Sequence, residues 1–330
     1  GGVFNTGIGS SATITNVTFL DNAAGDGGSV YNDSGSFILK NSILAVDIFG
    51  IVNCGGSITD GTANIATDTT CNPATPVYFN QLKLGTLGNH GGSTQTIPLL
   101  TGSPAIDAGD DATCAAAPVS NTSQNGVSRP SSTHCDIGSF EKAQVFADVP
   151  FDGFAWAQIE SIYTAGITGG CSTNPLNYCP NNSVTRAQMA VFLLRGIHGS
   201  AYSPPTATGT VFTDVPSDAF AAAWIEQMVA EGITSGCGNG NYCPNSTVTR
   251  AQMAVFLLRA KYGSAYSPPV ATGTVFTDVP SNGFAAAFIE QLVSEGITSG
   301  CGGGNYCPNS SVTRAQMAVF LQRTFNLPLP

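Results

Sequence analysis

The chain of 330 residues carries a formal net charge of −10, with 11 Lys and Arg against 21 Asp and Glu, which argues against nucleic-acid binding. Only 10% of the residues are charged, so Ser, Thr, Asn, Gln and Gly must cover the surface, as suits a secreted protein. No apolar run is long enough to cross a bilayer as a helix. The composition changes near Lys142 to Gln144, which predicts a first domain over 1–142 and three repeated units over 143–207, 208–271 and 272–330.

The first domain opens with Gly1-Gly2-Val3-Phe4-Asn5, then Ala12-Thr13-Ile14-Thr15-Asn16-Val17-Thr18-Phe19, Gly27-Gly28-Ser29-Val30-Tyr31-Asn32 and Phe37-Ile38-Leu39-Lys40-Asn41-Ser42. Short alternating strands between Gly and Asn turns, at a period near 25, predict a solenoid, with a right-handed parallel β-helix as the best fit. Its asparagines are placed to stack as ladders, and the sequons at Asn16 and Asn32 read as coincidental. Because the chain starts in mid-repeat, it is expected to be a processed or truncated C-terminal part of a longer exported protein.

Further on, Leu87-Gly88-Asn89-His90-Gly91-Gly92 leads to Gly102-Ser103-Pro104-Ala105-Ile106-Asp107-Ala108-Gly109-Asp110, and the segment closes with Cys135-Asp136-Ile137-Gly138-Ser139-Phe140-Glu141. This run resembles the C-terminal end of bacterial surface β-helix proteins of the choice-of-anchor type, whose last coils precede one of several anchors. β-Helices also carry polysaccharide lyases, which makes Asp107, Asp110, Asp111, Asp136 and Glu141 candidate calcium ligands, or acid–base partners of Arg129, His90 or His134. The competing reading has Asp107 and Asp136 tying down the last turn through backbone amides. It is favoured because only Lys40, Lys83, Arg129 and Lys142 are available to steady a carboxylate dianion. No catalytic residue, metal site or cofactor is assigned, with calcium left open.

The rest of the chain repeats at about 64 residues. Phe146-Ala147-Asp148-Val149-Pro150 recurs from Phe212 and Phe276, Gly166-Ile167-Thr168 from Gly232 and Gly296, and Thr185-Arg186-Ala187-Gln188-Met189 from Thr249 and Thr313. Each unit reads as helix, loop, helix. Ile225, Met228, Val229 and Ile233 form the apolar stripe of a first helix, which Gly232 ends in a left-handed cap. Thr185 with Gln188, Thr249 with Gln252 and Thr313 with Gln316 form capping boxes for a second helix that ends near Arg195, Arg259 or Arg323. Those last three arginines read as structural.

The ten cysteines pair by proximity as Cys54–Cys71, Cys114–Cys135, Cys171–Cys179, Cys237–Cys243 and Cys301–Cys307, which implies an oxidising compartment. Zinc is the weaker alternative, since CxxC spacing is missing and only His90, His134 and His198 occur.

Arg186, Arg250 and Arg314 fall in the first turn of the second helix, where a cation opposes the helix dipole. A local cost repeated in every unit suggests an anion site, made of free helix amides and a guanidinium. The alternative is a salt bridge to Asp148, Asp214 or Asp278, or to Glu160, Glu226 or Glu290.

Taken together, Phe-x-Asp-Val-Pro, Gly-Ile-Thr-x-Gly and Thr-Arg-Ala-Gln, in three C-terminal copies, resemble the surface-layer homology (SLH) domain. The resemblance implies a three-repeat α-helical pseudo-trimer whose grooves bind anionic, often pyruvylated, cell-wall polysaccharide or a peptidoglycan-linked polymer. It implies that Arg186, Arg250 and Arg314 contact the acidic group, beside Gln188, Gln252 and Gln316, which replace the family's usual Glu. The expected protein is a non-catalytic extracellular protein on the cell surface. A self-assembling subunit of a layer or filament and a secreted polysaccharide lyase are the competing expectations.

Overall fold

A computed structural model describes residues 2–47, 50–72, 74–151 and 153–329 and divides the chain into two units, Gly1–Gln144 and Val145–Pro330. In the first unit each stretch of some two dozen residues supplies three short strands. They are β1 (Val3–Asn5), β2 (Ser11–Thr15) and β3 (Thr18–Leu20), then β4 (Val30–Asn32), β5 (Ser36–Lys40) and β6 (Ile43–Ala45). Next come β7 (Cys54–Gly56), β8 (Thr59–Thr62) and β9 (Ile65–Ala66), followed by β10 (Thr75–Pro76).

These strands stack as three parallel sheets, ordered β1-β4-β7, β2-β5-β8 and β10-β9-β6-β3, with Val3 beside Val30, Ala12 beside Phe37 and Phe19 beside Leu44. Strand alternation turns Phe37 and Leu39 inward, both 1% exposed, while Ile38 faces out of the core. Asn16 and Asn41 turn the corner between second and third strands with φ of 52° and 45°, a left-handed conformation that asparagine tolerates.

Asn5 Nδ2 donates to Asn32 Oδ1 at 2.8 Å, one rung of an asparagine ladder. Asn16 and Asn32 are buried, so neither sequon presents its amide for glycosylation. The short helices α1 (Phe79–Leu82) and α2 (Asp111–Ala115) follow, and Cys54–Cys71 and Cys114–Cys135 are both bonded.

The carboxylates weighed for calcium or catalysis are engaged one by one in holding this end together. Asp110 caps α2 through the Thr113 amide, and Asp111 accepts from the Cys135 amide and His134 Nδ1. Asp136 accepts from the amides of Asp107 and Lys142, and Glu141 from those of Ser131 and Asp136. Arg129 is buried, donating to the carbonyls of Asp136 and Gly138 and lying 3.3 Å from Glu141. A guanidinium committed to three protein oxygens is not available to a substrate dianion.

In the second unit the repeats fold alike. First helices are α3 (Trp156–Thr164), α5 (Ala222–Ala230) and α7 (Ala286–Ser294); second helices are α4 (Arg186–His198), α6 (Arg250–Tyr262) and α8 (Arg314–Thr324). A two-strand ribbon, β11 (Ser172–Thr173) with β12 (Leu176–Asn177), lies between α3 and α4. Gly166, Gly232 and Gly296 lie just past the first helices with φ of 71°, 69° and 68°, and the next amides, those of Ile167, Ile233 and Ile297, return to Ile162, Met228 and Leu292 carbonyls. Ile233 therefore joins the core from beyond its helix. The second helices run past Arg195 and Arg259 to His198 and Tyr262, so those arginines lie in the last turn rather than at the end.

Each second helix packs against the first helix of the next repeat, α4 on α5 and α6 on α7, and α8 closes the ring on α3. At the centre the Val184 amide donates to the Val312 carbonyl, Val248 to Val184 and Val312 to Val248, a closed cycle of hydrogen bonds between fully buried residues. One continuous core spans Phe146 to Leu321. Cys171–Cys179, Cys237–Cys243 and Cys301–Cys307 close the interhelical loops.

Candidate functional site

The three capping boxes form: Thr185, Thr249 and Thr313 each accept the Gln amide three residues on, and the Gln side chain accepts from the Thr amide. The amides just inside the helix are not free, however. Arg186 N donates to the Ser246 carbonyl and Ala187 N to Pro244, both from the next repeat, and Arg250 with Ala251 and Arg314 with Ala315 do the same around the ring. An anion site built on open helix amides is therefore corrected. Loop carbonyls of the neighbouring repeat already occupy those donors, and the guanidinium remains.

That guanidinium is held by an interlocking pair. Arg186 Nε donates to the Tyr242 carbonyl at 2.7 Å, and the Tyr242 hydroxyl donates back to the Arg186 carbonyl at 2.9 Å. Arg186 Cζ lies 4.6 Å from the Tyr242 ring centroid and 5.6 Å from that of Phe256, so the cation is sandwiched between aromatic faces. Arg250 is gripped in the same way by Tyr306 and Phe320, and Arg314 by Tyr178 and Phe192. Burial pushes the three guanidinium groups below, and the three tyrosine hydroxyls above, their ordinary pKa values. Asn-Tyr-Cys-Pro, repeated in every loop, is the sequence signal for this clamp.

Among the described residues, salt bridges from these arginines to Asp148, Asp214, Asp278, Glu226 or Glu290 do not form, and that expectation is corrected. Asp148, Asp214 and Asp278 each accept two backbone amides, from Tyr178 and Cys179, Tyr242 and Cys243, and Tyr306 and Cys307. Glu226 and Glu290 accept from the Thr208-Gly209 and Thr272-Gly273 turns. Among the described residues, Nη2 of Arg186, Arg250 and Arg314 is buried with no hydrogen-bond partner. A buried, charged donor left unpaired costs about 1–3 kcal/mol.

All three arginines border grooves. Arg314 meets Gln188 and Arg195 in the first, Arg186 meets Gln252 and Arg259 in the second, and Arg250 meets Gln316 and Arg323 in the third. Each Gln thus shares a groove with the first-turn Arg of a different repeat. Arg195, Arg259 and Arg323, read from sequence as structural, also reach carbonyls at the end of a first helix: Gly166, Ile233 and Ile297. They do both, tying a second helix to a first and adding a second cation to each groove. Phe154, Phe220 and Phe284 stand exposed at the rims.

The S-layer homology domain family matches residues 211–254 and 275–318. The first repeat, outside those stretches, carries the same motifs from Phe146 to Gln188. A cell surface protein of Thermoanaerobacter kivui is 34% identical over 125 residues, 38% of this chain and 16% of its own. An amylopullulanase of Thermoanaerobacterium thermosulfurigenes is 29% identical over 56% of this chain and 10% of its own, and a cellulosome-anchoring protein of Acetivibrio thermocellus is 24% identical over 44% and 32%. The chain spans less than a third of each of these relatives. Among the described residues no helix is long and apolar enough to cross a membrane. Residues 211–254 and 275–318 are thus S-layer homology domains, and the chain is an extracellular protein of the cell surface.

Proposed function

We propose that residues 145–330 hold the protein on the cell envelope by binding an anionic wall polysaccharide in the three grooves, without catalysis. Arg186, Arg250 and Arg314 take the acidic group, while Gln188, Gln252 and Gln316 line the same grooves without adding negative charge. The first unit is then the last coils and cap of a right-handed parallel β-helix. The observation that carries the reading is the pair of arginines from different repeats that lines each groove. Two cations facing one concave surface, with no carboxylate among the lining residues, suit a polyanion. The name of the cellulosome-anchoring relative agrees with an anchoring role.

The triple variant Arg186→Ala, Arg250→Ala, Arg314→Ala is expected to lose co-sedimentation with purified wall sacculi, and retained binding would overturn the proposal. Circular dichroism of the variant separates lost binding from lost folding. Arg→Lys at the same sites, which keeps charge but not the Nε bond, should bind at an intermediate level.

A further inference from the structure

Phe154, Phe220 and Phe284 give every groove one aromatic rim, each 69–70% exposed. Four residues later, in the first turn of each first helix, the repeats differ: Gln158 in α3, Trp224 in α5 and Phe288 in α7. Trp224 lines the groove of Arg314 and Phe288 the groove of Arg186. At the groove of Arg250 the corresponding position is Gln158, which offers no aromatic face. The volumes follow the same order, about 450 and 370 Å³ for the first two and about 180 Å³ for the third.

Trp224 is fixed in place. The Arg195 guanidinium lies 5.5 Å from its ring centroid, and Tyr202 meets it edge-on at 5.9 Å. A held aromatic plane beside a cation matches two features of an acidic sugar residue, its C–H face and its carboxylate.

Resting on the anionic-glycan reading above, we propose that the grooves are unequal. Those at Arg314 and Arg186 each bind a whole acidic sugar, carboxylate on the guanidinium and ring face on Trp224 or Phe288. The groove at Arg250 holds the anionic group alone and binds more weakly. Trp224 and Phe288 are then specificity residues that distinguish a sugar acid from a simple anion.

The chain itself supplies a reporter for one groove. It has two tryptophans, and Trp156 is buried, so in the full chain carrying Trp156→Phe the emission comes from Trp224 alone. Titration with polysaccharide released by muramidase from sacculi of the producing bacterium should change that emission saturably, whereas sodium acetate should not at comparable concentration. In calorimetry, Trp224→Ala with Phe288→Ala should weaken binding of the polysaccharide roughly tenfold or more, Trp224→Phe should keep most of it, and Gln158→Ala should leave it unchanged.

Gln158→Trp should tighten binding at the third groove. The proposal is overturned if the alanine pair binds like the parent while the triple arginine variant does not. It is also overturned if Trp224 emission fails to respond to polysaccharide that the parent binds. If the parent itself does not bind the polysaccharide, the anchoring reading fails and this inference falls with it.

Discussion

Each groove arginine is expensive where it stands: it opposes its helix dipole, is 4% exposed, and leaves Nη2 without a partner. Clamping by a tyrosine carbonyl and two aromatic faces offsets part of this, while the arginine still borders its groove. Gln188, Gln252 and Gln316 keep the capping geometry without adding charge. Changing all three to Glu preserves the boxes but places a carboxylate in each groove. Calorimetric affinity for wall polysaccharide should then fall by about 1 kcal/mol per groove, roughly fivefold. The first unit has its own titrating residue. Asp136 is pushed up to about 7, chiefly by burial and then by the Glu141 carboxylate. A folded carboxyl that holds its proton more tightly than the unfolded one makes stability fall as pH rises between about 4 and 7, by up to about 4 kcal/mol. His134, raised by its hydrogen bond to Asp111, acts in the same direction, its ion pair being lost as pH rises past its folded value. Thermal unfolding of this unit between pH 5 and 8 should show a falling midpoint, flattened by Asp136→Asn, and a midpoint that climbs with pH contradicts this.

At the level of elements, the disulfide loops position the site as well as stabilise it. Cys179, Cys243 and Cys307 take left-handed φ of 58°, 61° and 59°, a conformation unfavourable for a side-chain-bearing residue, and the Asp carboxylates hold it by accepting two successive amides. The neighbouring tyrosine is thereby aimed at an arginine in another repeat. Replacing Cys237 and Cys243 together by Ser should cost about 2 kcal/mol of stability. Because Tyr242 grips Arg186, the same change should also weaken the Arg186 groove. Calorimetry showing lost stability with undiminished polysaccharide affinity would separate the loop from the site. The helices themselves were predictable from residue spacing, since the i, i+3, i+4 stripes and the Thr-x-x-Gln boxes are local patterns. The ends of two second helices also carry a local signal, Gly199 and Gly263, which cap α4 and α6 at φ of 87° and 91° and return their amides to the Arg195 and Arg259 carbonyls, so the helices run one turn past the arginines to these glycines.

For the second unit as a whole, the closed cycle of valine hydrogen bonds and the single core make the repeats interdependent. Calorimetry of residues 145–330 within the full chain should show one transition for the three repeats. Deleting 272–330 should leave the other two unfolded, since it opens the ring and strips α3 of α8; a stable two-repeat product would contradict this. Sequence by itself determined the threefold repeat, the cysteine pairs and the singling out of Arg186, Arg250 and Arg314, because each follows from spacing within one stretch of chain. Parallel pairing of short strands at a period near 25 was legible in the same way. Only the tertiary structure decided that helix amides are consumed by the next repeat, that Arg195, Arg259 and Arg323 face the grooves, and that each Gln serves another repeat's arginine. Those facts join residues about 56 or 136 positions apart, as in Arg186 with Tyr242 and Arg314 with Tyr178, and ring closure rather than local pattern brings them together.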